Sequence, residues 1–429
     1  MKVLKNPKSF CYVFALTFES PSQKNYTIDG KELFRLFRFS LGHQDILANI
    51  NPISYDIEKE NKDIYLNISQ LIQKSQYPVE EYTVVTPDGY KLKLIRIPGN
   101  GPVVLLMHGL ICSADDWITG GVNSGMGFLL AEQGYDVWLG NFRGNKHARD
   151  NIYISPSERK FWDFSFHEMG LYDLPTMIDF ILEKSNTSSL IYIGNSQGTT
   201  SFFVMCSLRP EYNEKISLMI SLATIAWLSH TVSPPIRFLV PMIHELTALT
   251  SSLGIYELLQ DTTTFRLIQR HFCGSILKAF VFCQPITFSI GGFNYNQTNL
   301  PQLPVIFNHF PAGSSVKQFV HYGQLIQSGY FRQYDYGQLN FEKYGSLTPP
   351  SYPVEKITVP VAIIYGEGDW LSTLADFNIL KSKLPNLVDF YAVEDKNFSH
   401  FDFLFAKDSK NLLLPRILRL IKNISDSLV

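Results

Sequence analysis

Short runs of uninterrupted apolar residues recur along this chain, and segments with helical spacing separate them. "GPVVLLMHG" (101–109) is followed by "MGFLLAEQG" (126–134), and "LIYIGNS" (190–196) runs straight into "QGTTSFFVMCSL" (197–208). A strand that is apolar at every position must be covered on both faces, which a parallel sheet between two helical layers provides. "YDVWLGN" (135–141), "ISLMISLAT" (216–224), "VPVAIIYGEGD" (359–369) and "LVDFYAV" (387–393) repeat the strand pattern. "LYDLPTMIDFILEKS" (171–185) and "LADFNILKSKLP" (374–385) supply helices, and a long helix is expected from about Leu404 to the end. "EEYTVVTPDGYKLKLIRIP" (80–98) reads as two strands around a Pro-Asp-Gly turn. The expected fold class is therefore α/β, with a mostly parallel central sheet.

The alternation stops at about Trp227 and resumes after Pro350. Between them the chain is rich in Phe and Tyr, helical in pattern at first and then loop-like. The expected organisation is an N-terminal segment (1–62), an α/β core (63–226 and 351–429) and an inserted, mainly helical cap or lid (227–350). Hydrophobic residues make up 45% of the 429 and charged residues only 18%, ample for a large core. Aromatic residues reach 14%, with 32 Phe, which fits a large core or an apolar surface for a greasy ligand. A net charge of −2 gives no electrostatic reason to expect nucleic acid as a partner. The N-terminus is ambiguous. Basic "MKVLKNPK" and apolar "SFCYVFALTF" have the pattern of a secretory signal, but no small-x-small cleavage site follows, so an ordinary segment fits as well. No uninterrupted apolar run reaches 18 residues, so a membrane-spanning helix is not expected. Sequons occur at Asn25, Asn67, Asn186, Asn296, Asn397 and Asn423, a weak pointer to a secretory route. Among Cys11, Cys112, Cys206, Cys273 and Cys283 there is no zinc spacing; Cys273 and Cys283 are near enough in sequence to bridge.

The chemistry centres on "GNSQG" (194–198). Glycines two before and two after Ser196 let a sharp strand-to-helix turn lift its hydroxyl above the sheet edge, beside a helix N-terminus. The bare pattern is weak, since it arises by chance in about one chain in ten of this length. The strand before it and the helix after it make it specific. A serine needs a base and an orienting carboxylate, in this fold in the order Ser, acid, His. His309 and His321 fall in the inserted region and read as structural. His400, in the loop after the last strand, is the expected base. Asp369, at the end of "VAIIYGEGD", is the expected acid, with Glu367 as its rival. Asp376 is expected on a helix surface, Asp395 is a further rival, and Asp402 is too close in sequence to His400. Two backbone donors should cradle the oxyanion, from Gln197 and from Leu110. His108 reads as a structural residue of that loop.

At these residues the sequence resembles the acid lipase family of α/β-hydrolases, most nearly its insect members. The matching segments include "LLMHGLICSADDW", "GYDVWLGNFRGN", "FWDFSFHEMGLYDLPTMIDFI", "GNSQGTT", "FPAGSSVKQFVHYGQLIQSGYFRQYDYG", "YGEGDWL" and "FSHFDFLFAKD", within a span of about 67–408. The resemblance implies Ser196, Asp369 and His400 as the catalytic residues and Leu110 and Gln197 as the oxyanion donors. It also implies a cap disulfide between Cys273 and Cys283, a lid, N-glycosylation, and a secreted or lysosomal setting. Two positions depart from the family pattern. Phe142 stands where Asn-x-Arg-Gly usually carries a small or hydroxyl residue, and Thr373-Leu374 replace an Asp-Pro pair.

The expected function is serine-dependent hydrolysis of neutral lipid esters, triacylglycerols first and sterol esters second, through an acyl-enzyme. No cofactor or metal is implied. The charge-poor, aromatic segment 227–300 is expected to receive the acyl chain, and Asn397, three residues from His400, is expected to stay unglycosylated. The alternatives are a lipid-binding protein on the same scaffold, which an intact triad argues against, and an esterase for small soluble esters.

Overall fold

The computed structural model describes residues 57–427. The possible signal segment, Cys11 and Asn25 lie outside the described residues. A hairpin of β1 (Glu80–Val85) and β2 (Lys91–Ile97) opens the sheet, with Glu80 opposite Arg96. It is followed by β3 (Val103–Met107), β4 (Asp136–Leu139), β5 (Leu190–Asn195) and β6 (Ile216–Leu222). Two-residue strands β7 (Glu257–Leu258) and β8 (Ser314–Ser315) pair with each other outside it. Strands β9 (Val361–Tyr365) and β10 (Leu387–Ala392) complete the eight-stranded order β1-β2-β4-β3-β5-β6-β9-β10. In this sheet the pairs β1–β2 and β2–β4 are antiparallel and the other pairs are parallel.

Burial explains the sequence pattern. Strands β3, β4 and β5 are buried at every position, whereas edge strand β1 alternates and edge strand β10 is half-exposed along most of its length. Helices Leu174–Ser185 and Gln197–Leu208 contribute Met177, Ile178, Phe202 and Phe203 to the core around Trp138 and Tyr192. Each such fully buried side chain is worth about 1.5–3 kcal/mol. The expected long C-terminal helix is instead three pieces, Asp402–Phe405, Ser409–Leu412 and Leu414–Ser427. Ala406 is extended (φ −61°, ψ 134°), and Pro415 has no N–H to continue a helix across 413–415.

Between β6 and β9 the chain adds no strand to the main sheet. It forms helices Pro234–Leu239, Ile243–Ser252, Thr263–Cys273, Gln284–Gly291, Leu303–His309 and Val316–Ser328. The disulfide Cys273–Cys283 ties the end of one helix to the start of the next. Cys112 and Cys206 are free and buried.

Candidate active site

The site grows from the C-terminal ends of three parallel strands. Ser196 follows β5 with φ +51° and ψ −114°, a region that a non-glycine residue enters only when its surroundings force it. The two glycines make that turn possible. A Cβ on Gly198 would stand 2.3 Å from the Met107 carbonyl oxygen, and one on Gly194 2.9 Å from the Gly198 carbonyl carbon. The helix Gln197–Leu208 begins immediately after, with Ser196 as its N-cap.

The loops after β9 and β10 bring two more groups to the hydroxyl. His400 Nε2 lies 2.9 Å from Ser196 Oγ, and His400 Nδ1 lies 2.8 Å from Asp369 Oδ2. Asp369 is fully engaged. Its Oδ1 accepts the N–H groups of Leu371 (2.8 Å) and Ser372 (3.0 Å), and its Oδ2 also accepts Ser372 Oγ (2.6 Å). With Asp369 accepting, the neutral ring carries its proton on Nδ1 and presents the Nε2 lone pair to the serine. The inserted region backs both loops, since the Gly291 carbonyl accepts Trp370 N–H at 3.1 Å and His400 N–H at 3.2 Å.

The loop after β3 closes the other side. Gly109 approaches so closely that an added Cβ would lie 3.2 Å from Ser196 Cβ. Among the described residues, neither the Leu110 nor the Gln197 backbone N–H meets an acceptor. His108 is buried and latches this loop. Its Nδ1 donates to Gly109 O at 2.8 Å, while Nε2 accepts Phe142 N–H and Asn145 Nδ2, each at 3.1 Å. Burial pulls the His108 pKa down to about 4, so the ring is neutral and committed to structure. Phe142, one of the two departures from the family pattern, thus donates to that latch and stacks edge-on against it.

Of the weighed carboxylates, the structure brings only Asp369 to His400. Glu367 is exposed and pairs with Lys396. Asp395 accepts from Asn294 and Gln297. Asp402 is buried and accepts Ser399 N–H and Asn294 Nδ2; burial raises its pKa to about 7. Asp376 is a correction. It was expected on a helix surface, yet it is buried, holding His230 and Thr373 where the chain enters the inserted region. His321 is buried against Phe166 and hydrogen-bonded to Ser165. His309 is buried and bound to Asp115.

A cavity of about 470 Å³ opens over Ser196 and His400. Its walls are mostly aliphatic, with Phe319, Tyr322 and Phe401 among them. Ile243, Leu246, Thr247 and Thr250 present one face of their helix, and Val316, Phe319, Val320 and Gly323 one face of another. No aspartate, glutamate, lysine or arginine of the described residues lines it. The segment 227–300, expected to receive the acyl chain, lines it with aliphatic residues and threonines rather than with its aromatic rings. Phe288, Phe293 and Tyr295 pack on one another, and Phe293 on Trp370. Sequence reasoning also missed Asn195, whose Nδ2 is buried without a partner among the described residues although the residue lines the cavity beside Ser196. Its position inside G-x-S-x-G was the available signal.

Sheet, elbow and cavity together define an α/β-hydrolase. Residues 68–121 match the family described as a partial alpha/beta-hydrolase lipase region, and 102–245 match the alpha/beta hydrolase fold. The chain is 37% identical to human gastric triacylglycerol lipase over 392 residues, covering 88% of this chain and 96% of that one. It is 38% identical to Drosophila melanogaster Lipase 1 over 368 residues (85% and 82%). It is 35% identical to the lysosomal acid lipase/cholesteryl ester hydrolase of Macaca fascicularis over 373 residues (84% and 92%). The chain belongs to the acid lipase family, and it is a carboxylic ester hydrolase of the lipase type.

Proposed function

We propose that this enzyme hydrolyses long-chain esters of neutral lipids, triacylglycerols first and sterol esters second, at a lipid surface. Ser196 is the nucleophile, His400 the general base and Asp369 the group that fixes the imidazole. His400 Nε2 takes the Ser196 proton as Oγ attacks the ester carbonyl carbon. The N–H groups of Leu110 and Gln197 receive the resulting oxyanion. His400 then gives its proton to the leaving alcohol, and water, activated the same way, releases the fatty acid from the acyl-enzyme. The observation that carries this reading is the Asp369–His400–Ser196 hydrogen-bond chain ending in a mainly apolar cavity.

We take 227–350 as a cap over the core. Its helix Ile243–Ser252 faces the cavity on one side and exposes Leu249 at 54% on the other, with Leu253 beyond it at 64% and Phe238 on the preceding helix at 71%. Apolar residues on the outer face of a cavity-covering helix fit a lipid interface. Among the described residues no helix is long and apolar enough to cross a membrane. A secreted or lysosomal setting is supported by the cap disulfide and by relatives named as gastric and lysosomal lipases.

The test is hydrolysis of emulsified triolein, cholesteryl oleate and nitrophenyl butyrate by the purified protein and by Ser196→Ala. Release of oleate by wild type alone is expected. Activity confined to butyrate replaces the lipid substrate with small esters. Equal inertness of both proteins, with lipid still bound, replaces the enzyme with a binding protein.

A further inference from the structure

The loop that carries the Leu110 amide contains a strained residue. Ile111 has φ +58°, a left-handed conformation that is an outlier for a β-branched side chain. Such strain persists only where neighbouring structure over-determines it. The restraint comes from the inserted region. Ala312 N–H donates to Ile111 O at 2.7 Å, and Lys146 N–H donates to Ala312 O at 2.8 Å. Lys146 Nζ donates to His309 O at 2.9 Å.

One buried carboxylate gathers these arms. Asp115, four residues past Ile111, lies 2.6 Å from Lys146 Nζ, 2.7 Å from His147 Nε2 and 2.6 Å from His309 Nδ1. Burial opposes its charge, but the Lys146 ammonium and the two histidines outweigh it and hold the carboxyl well below its ordinary range. The same segment reaches the other side of the site. Phe310 packs edge-on against Phe401 and Phe405 at 5.7 and 5.9 Å between ring centres, next to His400. Three chain segments distant in sequence are thus locked to one another behind the oxyanion loop.

We propose that residues 309–312 form a strut that fixes the Leu110 N–H in its oxyanion-binding orientation, with His309, Asp115 and Lys146 as positioning residues. The proposal rests on the assignment of Leu110 as an oxyanion donor. A strut of this kind acts on the transition state. A misplacement of the order of 1 Å in a catalytic group costs about 100-fold in rate, while binding of the ester ground state in the cavity is untouched.

The experiment compares wild type with His309→Ala, His309→Asn and Lys146→Met. Each is tested on nitrophenyl butyrate, for inhibition by an alkyl boronic acid that forms a tetrahedral adduct with the serine, and for binding of a long-chain alcohol as ground-state ligand. The expected result for His309→Ala is a fall in kcat of about 100-fold, with KM and alcohol binding unchanged and boronate affinity reduced in step with kcat. His309→Asn can place an N–H where Nδ1 stands and should recover most of the loss. Lys146→Met, which cuts one arm, should show the same pattern in smaller degree, and carries the test if His309→Ala does not fold. Unchanged kcat and boronate affinity in the folded variants overturn the strut. So does a parallel loss of alcohol binding that Asn does not repair. If wild type itself shows no Ser196-dependent turnover, the reading of the site fails, and the strut with it. If wild type turns over normally and only the variants behave like it, the strut alone falls.

Discussion

Asp369→Asn separates the orientation of His400 from every other property of the site. The carboxylate has two unequal oxygens. Oδ1 accepts two backbone N–H groups, from Leu371 and Ser372, at 2.8 and 3.0 Å. Oδ2 faces Ser372 Oγ at 2.6 Å and His400 Nδ1 at 2.8 Å. An asparagine cannot turn its NH2 toward two N–H donors, so its carbonyl must take the Oδ1 position and its NH2 the Oδ2 position. The Ser372 hydroxyl can rotate to accept. His400 Nδ1 must then accept as well, which moves the ring proton to Nε2. That nitrogen now donates toward Ser196 Oγ and cannot take its proton. The wrong tautomer costs about 10⁴ in kcat where it has been imposed on a Ser-His-Asp site, equivalent to about 5 kcal/mol of barrier. KM should hold, and unfolding stability should change by no more than about 1 kcal/mol, because every hydrogen-bonding atom keeps a partner. The assay is steady-state hydrolysis of nitrophenyl butyrate, with active-site titration by a serine-reactive phosphonate and a urea melt. A kcat within tenfold of wild type in a folded protein would show that Asp369 does not set the tautomer.

Leu246→Trp places an indole in the cavity wall and should raise KM for long-chain esters at least tenfold more than for butyrate; an equal change for both would refute the view that the helix Ile243–Ser252 holds the acyl chain. Gly198→Ala should destabilise by about 3 kcal/mol or prevent folding, because its Cβ meets a strand carbonyl at 2.3 Å, whereas Gly134→Ala, with open space but φ +85°, should cost only about 1 kcal/mol in a thermal melt. Asp402→Asn tests a buried acid. Burial raises the folded pKa to about 7 from an ordinary 3.8, so the folded state holds the proton more tightly than the unfolded state between those values. The stability this contributes is complete below about pH 4 and is lost as pH rises through 7, up to about 4 kcal/mol. Wild type should therefore lose stability relative to Asp402→Asn between pH 4 and 7 in paired urea melts; a constant difference refutes it. Cys273→Ser should lower stability by about 2–3 kcal/mol for so short a loop, with kcat on butyrate unchanged.

What was legible in the sequence was local. Strands buried on both faces wrote continuous apolar runs, and the elbow wrote its glycines two residues to either side of Ser196. Asp369 and His400 could be singled out because each lies in the loop that follows a strand of that sheet, and topology brings those loops to one edge. Chain breaks driven by a single backbone change were harder. Pro415 alone hinted that the final helix is interrupted, and the extended Ala406 left no mark in composition. Asp376 misled for a related reason. A carboxylate in the first turn of a helix is ordinarily solvated, and nothing near it in sequence announces that His230, 146 residues away, covers it.

The inserted region was the least legible, and the cause is physical rather than statistical. Its aromatic richness fitted either a large core or a surface for a greasy ligand, and many of the rings satisfy one another edge to face, as Phe288 does with Phe293 and Tyr295, as packing. The cavity falls mainly to aliphatic residues at helical spacing, whose pattern is the same whether the face meets a core or a ligand. Some of the contacts that set the site from that region carry no side-chain signature at all. The Gly291 carbonyl holds Trp370 and His400, and the Ala312 N–H holds Ile111. Every residue but proline owns such groups, so residue identity cannot encode them. What can be read is their consequence, an isoleucine at φ +58° beside the expected oxyanion donor, and only once the backbone is in hand. A site assembled by side chains from the loops of one sheet is therefore visible in the sequence, while the restraints from the insertion are in part backbone contacts that residue identity does not mark.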